Sequence, residues 1–173
     1  MSWRNVDAII ERLYLGNLAA ARSIRSLAEH GVTHVLSVCA DSIHAELPHS
    51  GMKHMRINVE DVDYADLLIH LPSACQFIDH ALRTGGTILV HDVQGVSRSA
   101  AVVAAYLMWS QRISATKALD AIRRAHEQAW PNAGFQEQLV LFELCQYAPS
   151  PYDGIYQSWR VKLDRRLREA GLR

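Results

Sequence analysis

Short apolar runs of strand character alternate along the chain with longer stretches of helical periodicity. The strand-like runs are Arg12-Leu-Tyr-Leu15, Val32-Thr-His-Val-Leu-Ser-Val38, Met52 to Val59 and Thr87-Ile-Leu-Val90. Between them, Leu18 to His30 reads as a helix stopped by Gly31, and Asp66 to Arg83 as one stopped by Gly85-Gly86. Glycine ends helices because it takes the left-handed conformation without a steric cost. The Ala/Val-rich run from Ser97 or Arg98 to Gln111 is apolar on most sides and predicts a buried helix. Ser114 is a good cap for a helix reaching about His126, although Lys117 stands where an acid would complete a capping box. Pro131-Asn-Ala-Gly134 then breaks the chain before a helix to about Tyr147. This order predicts an α/β fold: a central, mostly parallel sheet of four or five strands with helices on both faces.

Pro149-Ser150-Pro151 is the one candidate boundary, dividing residues 1–148 from residues 149–173. Beyond it, Ile155, Tyr156, Trp159, Leu163 and Leu167 share a stripe, while Arg160, Lys162, Arg165, Arg166 and Arg168 fall largely elsewhere. The tail is therefore expected to be an amphipathic helix packed on the preceding domain, with a partner surface as the alternative.

Composition narrows the function classes. A chain of 173 residues, 49% of them apolar, suits one domain. Folding is expected to leave roughly 8,500 Å² of about 28,000 Å² exposed, enough for a core without disulfides or metal. Lys plus Arg and Asp plus Glu each total 18, which argues against a nucleic-acid surface and makes any anion site local. Cys39, Cys75 and Cys145 fit no metal or redox spacing and read as buried thiols of a reducing compartment. The nine histidines form no His-x-x-x-His pair, so no metal or cofactor is expected. No apolar run is long enough to span a membrane, and Met1-Ser2-Trp3-Arg4 lacks the core of a leader, so a cytoplasmic or nuclear location is expected.

Chemistry concentrates in Leu89-Val-His-Asp-Val-Gln-Gly-Val-Ser-Arg-Ser99, where a strand passes through a Gly-containing loop into a helix. Such a loop makes an anion cradle: successive N–H groups point inward, the helix N-terminus adds partial positive charge, and Arg98 can grip two phosphate oxygens. A plain strand-to-helix turn is the competing reading of these residues alone. The flanking residues add a resemblance. The segment resembles the phosphate loop of cysteine-based protein tyrosine phosphatases, which runs His-Cys, five residues, then Arg and Ser or Thr; here it is His91-Asp92, five residues, Arg98-Ser99. Leu13-Tyr-Leu-Gly-Asn-Leu18, Gly31-Val-Thr-His-Val-Leu-Ser37, Ala104-Ala-Tyr-Leu-Met108 and Pro131-Asn-Ala-Gly-Phe-Gln-Glu-Gln138 are similar to dual-specificity phosphatases, over roughly residues 9 to 147. Tyr147-Ala-Pro-Ser, Tyr156 and Trp159 resemble the group that carries a C-terminal zinc-binding domain, which this sequence lacks.

The resemblance implies a set of roles. Val93, Gln94, Gly95, Val96, Ser97 and Arg98 would bind phosphate, Ser99 would steady the leaving nucleophile, and His91 and Asn132 would brace the loop. Asp61 fits the general acid best, with Asp63 second; without the resemblance, these acids read as a solvated loop in which Asp66 caps the next helix. Trp130, beside Pro131-Asn132, is a candidate for lining the pocket, whereas Trp109 reads as core. The short stretch from residue 41 to 51 would leave the pocket open.

Asp92 departs from the pattern, standing where the nucleophilic cysteine is expected. A carboxylate and a thiolate carry the same charge, but the carboxylate is the poorer nucleophile, and acyl phosphates are normally made with metal assistance. Bent into the cradle, it would accept loop N–H groups, pair with Arg98 and occupy the phosphate position. At about 4 Å from a phosphate oxygen it would add about 4 kcal/mol of repulsion at an effective dielectric of 20. Four readings follow: an engineered, inactivated variant of an active dual-specificity phosphatase; a natural pseudophosphatase holding phosphorylated proteins; an enzyme using Asp92 as acid or base on a phosphorylated or diphosphorylated small molecule; and slow transfer through an aspartyl phosphate.

Overall fold

The computed structural model describes residues 4–173, so Met1, Ser2 and Trp3 of the start considered above lie outside the described residues. Strands β1 (Val6–Ile10), β2 (Leu13–Gly16), β3 (His34–Ser37), β4 (Lys53–Arg56) and β5 (Ile88–His91) form one sheet in the order β1-β2-β5-β3-β4. Only β1 runs antiparallel, as a hairpin on β2. The four predicted strands are present, each within or beside its expected run. β1 was not anticipated, because Asp7 interrupts its apolar pattern; that carboxylate is nonetheless buried, since His126 and Arg4 pair with it.

Among the described residues, seven α-helices flank the sheet: α1 (Leu18–Arg22), α2 (Ile24–Glu29), α3 (Leu71–Arg83), α4 (Arg98–Gln111), α5 (Ala115–Ala125), α6 (Ala133–Leu144) and α7 (Gly154–Glu169). The single helix expected from Leu18 to His30 is two helices. Ser23 adopts an extended backbone between them, and its hydroxyl accepts the Ser26 N–H at 3.0 Å, so a capping side chain divides a continuous apolar stripe. The helix expected from Asp66 begins later: Leu68–His70 is a tight turn, and Pro72 lies in the first turn of α3, where its missing N–H costs nothing. Ser114, Asn132 and Asp153 cap α5, α6 and α7. α6 stops before the expected Tyr147, where Gln146 and Tyr147 both take positive φ.

The larger core cluster lies around α4, whose residues from Ser99 to Met108 are all buried. Trp159, Leu163 and Leu167 of α7 join that cluster, each contributing about 2 kcal/mol of apolar burial. A smaller cluster gathers Ala21, Leu27, Val35, Ile43, Ala45 and Leu89. The exposed area is 8853 Å², close to the value expected from chain length. All three cysteines are unpaired and buried. Among the described residues, no helix is long and apolar enough to cross a membrane.

Candidate functional site

β5 lies between β2 and β3, and its last residue, His91, is level with Gly16 and Ser37 at the carboxyl edge of the sheet. The chain then turns through residues 92–97 and enters α4. Three loop carbonyls are tied away from the turn: Val93 O accepts the Leu18 N–H at 3.1 Å, Val96 O accepts the Trp130 N–H at 2.7 Å, and Gly95 O lies 2.7 Å from His126 Nε2. In a trans peptide the C=O and the following N–H point opposite ways, so these ties turn the N–H groups of Gln94, Val96 and Ser97 to the inner side. Gly95 has φ of +71°, and a Cβ there would stand 2.9 Å from Gly16 O, so both conformation and space require glycine.

Asp92 sits at the floor of this turn with 2% exposure. Its carboxylate accepts the N–H of Gly95 and, at 3.1 Å, the N–H of Ser99. Burial raises its pKa above the ordinary carboxylate value; the Ser99 and Gly95 N–H groups and the Arg98 charge oppose that rise. The expected ion pair with Arg98 is not formed. Arg98 Nη1 instead donates to Val59 O at 3.1 Å, and its buried Nε has no partner. The main chain satisfies the carboxylate, which leaves the guanidinium available for an incoming anion. Ser99 Oγ, at the position expected to steady a nucleophile, is buried without a hydrogen bond of normal geometry.

His91 is fully buried behind the floor. Its Nδ1 lies 3.1 Å from Asp92 O, and its Nε2 lies 2.6 Å from Ser37 Oγ, which also contacts His54 Nε2 at 2.8 Å. Burial pulls the His91 pKa down to about 4, so the ring is neutral near pH 7 and can donate from Nδ1 while accepting from Ser37. Asn132 reaches the loop through its backbone N–H, which donates to Ser97 Oγ at 2.9 Å. Its side chain accepts the Phe135 N–H and donates to Asp61 Oδ1 at 3.0 Å, joining the loop, the start of α6 and the candidate acid.

Asp61 is exposed on the segment following β4. Side chains secure this segment at several points besides Asn132. Gln138, 1% exposed, accepts the N–H groups of Leu67 and Leu68 at 2.9 and 2.8 Å and donates to Ala65 O at 2.8 Å. Gly134 lies so close that a Cβ would stand 1.8 Å from Asp63 O. Asp66 caps the Leu68–His70 turn through Ile69 N–H and accepts the Tyr156 hydroxyl from α7. Asp63 is exposed. From residue 41 to 51 the chain forms two short turns; Arg56 fastens them through Asp41 O and the Glu46 carboxylate, and it also donates to Cys39 O. Trp130 is 62% exposed, with the Arg123 guanidinium 4.1 Å from its ring centre, whereas Trp109 packs against the core.

The sequence assigned no role to His126, Gly134 or Gln138. The last two lie inside the quoted Pro131 to Gln138 motif, which was the available signal; for His126 there was none.

The family model for the dual specificity phosphatase catalytic domain matches residues 13–145. Dual specificity protein phosphatase 22-A of Danio rerio is 35% identical over 154 residues, which is 89% of this chain and 70% of that protein. The Yvh1 phosphatase domain from Chaetomium thermophilum superposes with a TM-score of 0.77 at 32% identity, covering 84% of this chain and 99% of that one. Human DUSP28 does so with a TM-score of 0.77 at 36% identity, covering 84% and 97%. Fold likeness is equal for the two and singles out neither. Among similar curated proteins, the chain covers 14% of the length of dual specificity protein phosphatase PHS1 and 83% of that of dual specificity protein phosphatase 1B, both of Arabidopsis thaliana.

Proposed function

The chain belongs to the dual-specificity phosphatase family, and from that premise we propose that it is a phosphate-binding member whose hydrolytic step is silenced at Asp92. The observation that carries this reading is the Asp92 carboxylate on the cradle floor, held by the Gly95 and Ser99 N–H groups, where the family pattern places a thiolate. The surrounding parts suit catalysis. The inner N–H groups among residues 93–98 that Asp92 does not engage, Gln94, Val96 and Ser97 among them, and the Arg98 guanidinium would hold a phosphate, Asp61 would protonate the leaving oxygen, and Ser99 would steady a nucleophile at position 92. Carboxylate attack on phosphorus is the defective step. This is what an inactivated variant of an active phosphatase would show, and a natural pseudophosphatase would share the geometry. The substrate class is a phosphorylated protein, at Tyr, Ser or Thr, or a small phosphorylated ligand, met in the cytoplasm or nucleus.

A second reading has Asp92 acting as acid or base on a phosphorylated or diphosphorylated small molecule. It is favoured by the raised proton affinity of the carboxyl group, which brings that group nearer to working pH. Tungstate titration tests the first reading. Calorimetry should show saturable binding to this protein and binding weaker by roughly a hundredfold to Arg98→Ala, the equivalent of about 3 kcal/mol for a bidentate charged contact. No heat from either protein would refute it, and turnover of phosphorylated metabolites without any aryl phosphatase activity would favour the second.

A further inference from the structure

His126, just past the C-terminus of α5, is 1% exposed, and no step above uses its ring chemistry. Its Nδ1 lies 2.7 Å from Asp7 Oδ2, and its Nε2 lies 2.7 Å from Gly95 O. A carbonyl oxygen only accepts, and so does an ionised carboxylate. A neutral imidazole has a single N–H, so one of the two contacts would set lone pair against lone pair. A proton on Asp7 would be the other way out. Against it, Arg4 Nη1 donates to Asp7 Oδ1 at 3.2 Å, a contact that treats the carboxylate as an acceptor.

We infer that His126 is held as the doubly protonated imidazolium, and that it is a positioning residue which keeps the Gly95–Val96 peptide turned so that the Val96 N–H faces a bound anion. The inference rests on the phosphate-binding reading above. Asp7 supplies the counter-charge from β1, and the His126 charge adds to the positive field behind the cradle. Loss of the Nε2 proton would leave a lone pair facing Gly95 O, and the peptide plane would turn away. The charged groups on the segments that meet the ring are Asp7 and Arg4 on the β1 side, Asp92 and Arg98 on the loop that carries Gly95 and at the start of α4, and Arg123, Arg124 and Glu127 on its own segment. A cavity of about 710 Å³ lined by Arg4, Asp7, Arg123 and Arg124 opens beside the pair.

Two measurements test this. In nitrogen-15 NMR of the full chain near neutral pH, the His126 ring should show protons on both nitrogens; the spectrum of a neutral single tautomer would overturn the assignment. Sulfate, which stays a dianion throughout, is the binding probe between about pH 5 and about pH 9, the range in which histidine changes charge. His126→Ala should bind it roughly tenfold to a hundredfold more weakly than the unaltered protein, as for loss of one charge-assisted hydrogen bond. His126→Gln, which offers an uncharged donor to Gly95 O, should recover part of that loss and bind with a flatter pH profile. Ionisation of Asp92 weakens sulfate binding with the same sign, so the series is repeated in Asp92→Asn. Equal affinity for His126→Ala and the unaltered protein would overturn the positioning role. If His126→Ala fails to fold, Asp7→Asn replaces it: the His126 signals should lose a ring proton and sulfate binding should weaken, and unchanged signals with unchanged binding would overturn the inference. Absence of sulfate and tungstate binding by the unaltered protein would instead refute the phosphate-binding reading, and the ring signals would then decide the protonation state alone.

Discussion

The floor of the cradle is held mostly by main chain, with the His126 ring on Gly95 O and the His91 ring on Asp92 O as its side-chain contacts, whereas the segment carrying Asp61 is held by side chains reaching from α6 and α7. At the floor, backbone N–H groups of Leu18 and Trp130 fix loop carbonyls, and backbone N–H groups of Gly95 and Ser99 hold Asp92. At the rim, Asn132, Gln138 and Tyr156 supply the bonds to Asp61, to residues 65–68 and to Asp66. A side chain on the floor can therefore change while the loop keeps its shape, so replacement at position 92 alters chemistry more than architecture. Replacements at the rim are expected to displace Asp61 and leave the turn through residues 92–97 standing.

The largest effect should come from breaking the floor at Gly95. Gly95→Val places a branched residue at φ of +71° with its Cβ 2.9 Å from Gly16 O. We expect a loss of about 4 kcal/mol in urea unfolding, from strain and the displaced turn, together with loss of tungstate binding. Unchanged tungstate affinity would mean that the backbone ties do not shape the site.

Acid comes next, and it acts on the floor through two groups of opposite sign. The unfolded chain protonates His91 near 6.5 and the folded one near about 4, so this contribution is complete above pH 6.5 and is lost as pH falls to about 4, amounting to about 3 kcal/mol. Asp92 holds its proton to higher pH when folded than the unfolded value of 3.8, so its contribution is complete below 3.8 and lost as pH rises through the folded value. Stability measured by denaturant against pH should thus fall more steeply on acidification in Asp92→Asn than in the unaltered protein. His91→Gln should flatten the decline, and a decline that survives in His91→Gln would assign it elsewhere.

At the rim, Gln138→Leu leaves the buried Leu67 and Leu68 N–H groups without partners, removes the part-buried bond to Ala65 O, and should cost about 2 kcal/mol. Tungstate affinity should stay within about twofold, since no cradle group is touched. Asn132→Ala removes the α6 cap and the Asp61 tether for a smaller loss of about 1 kcal/mol, read as a drop in melting temperature. In an Asp92→Cys background it should slow turnover of alkyl phosphates, which need a proton on the leaving oxygen, more than turnover of nitrophenyl phosphate.

What the sequence disclosed follows the same division. The floor is contiguous, strand into loop into helix from Leu89 to Ser99, so a local pattern contains it. Asp61 could be named only through the resemblance, because nothing local separates it from Asp63. The bonds that hold its segment join residues about seventy positions apart, such as Leu67 and Gln138. His126 and Asp7 are 119 positions apart, so no local pattern joins the histidine at the end of α5 to the acid within β1. β1 escaped notice for the same reason, since the partner that makes its inward acid tolerable lies on another element. The split at Ser23 shows the converse, where apolar periodicity runs through a position whose hydroxyl ends the helix.

The most direct test of the account is turnover of a small aryl phosphate by Asp92→Cys under reducing conditions, beside the unaltered protein. With the cradle, Arg98 and Asp61 already in place, the cysteine variant should hydrolyse it at least about a thousandfold faster, a barrier difference of about 4 kcal/mol assigned to the nucleophile. A folded, tungstate-binding Asp92→Cys protein with no turnover, or equal turnover by the unaltered protein, would contradict the claim that residue 92 alone silences the site.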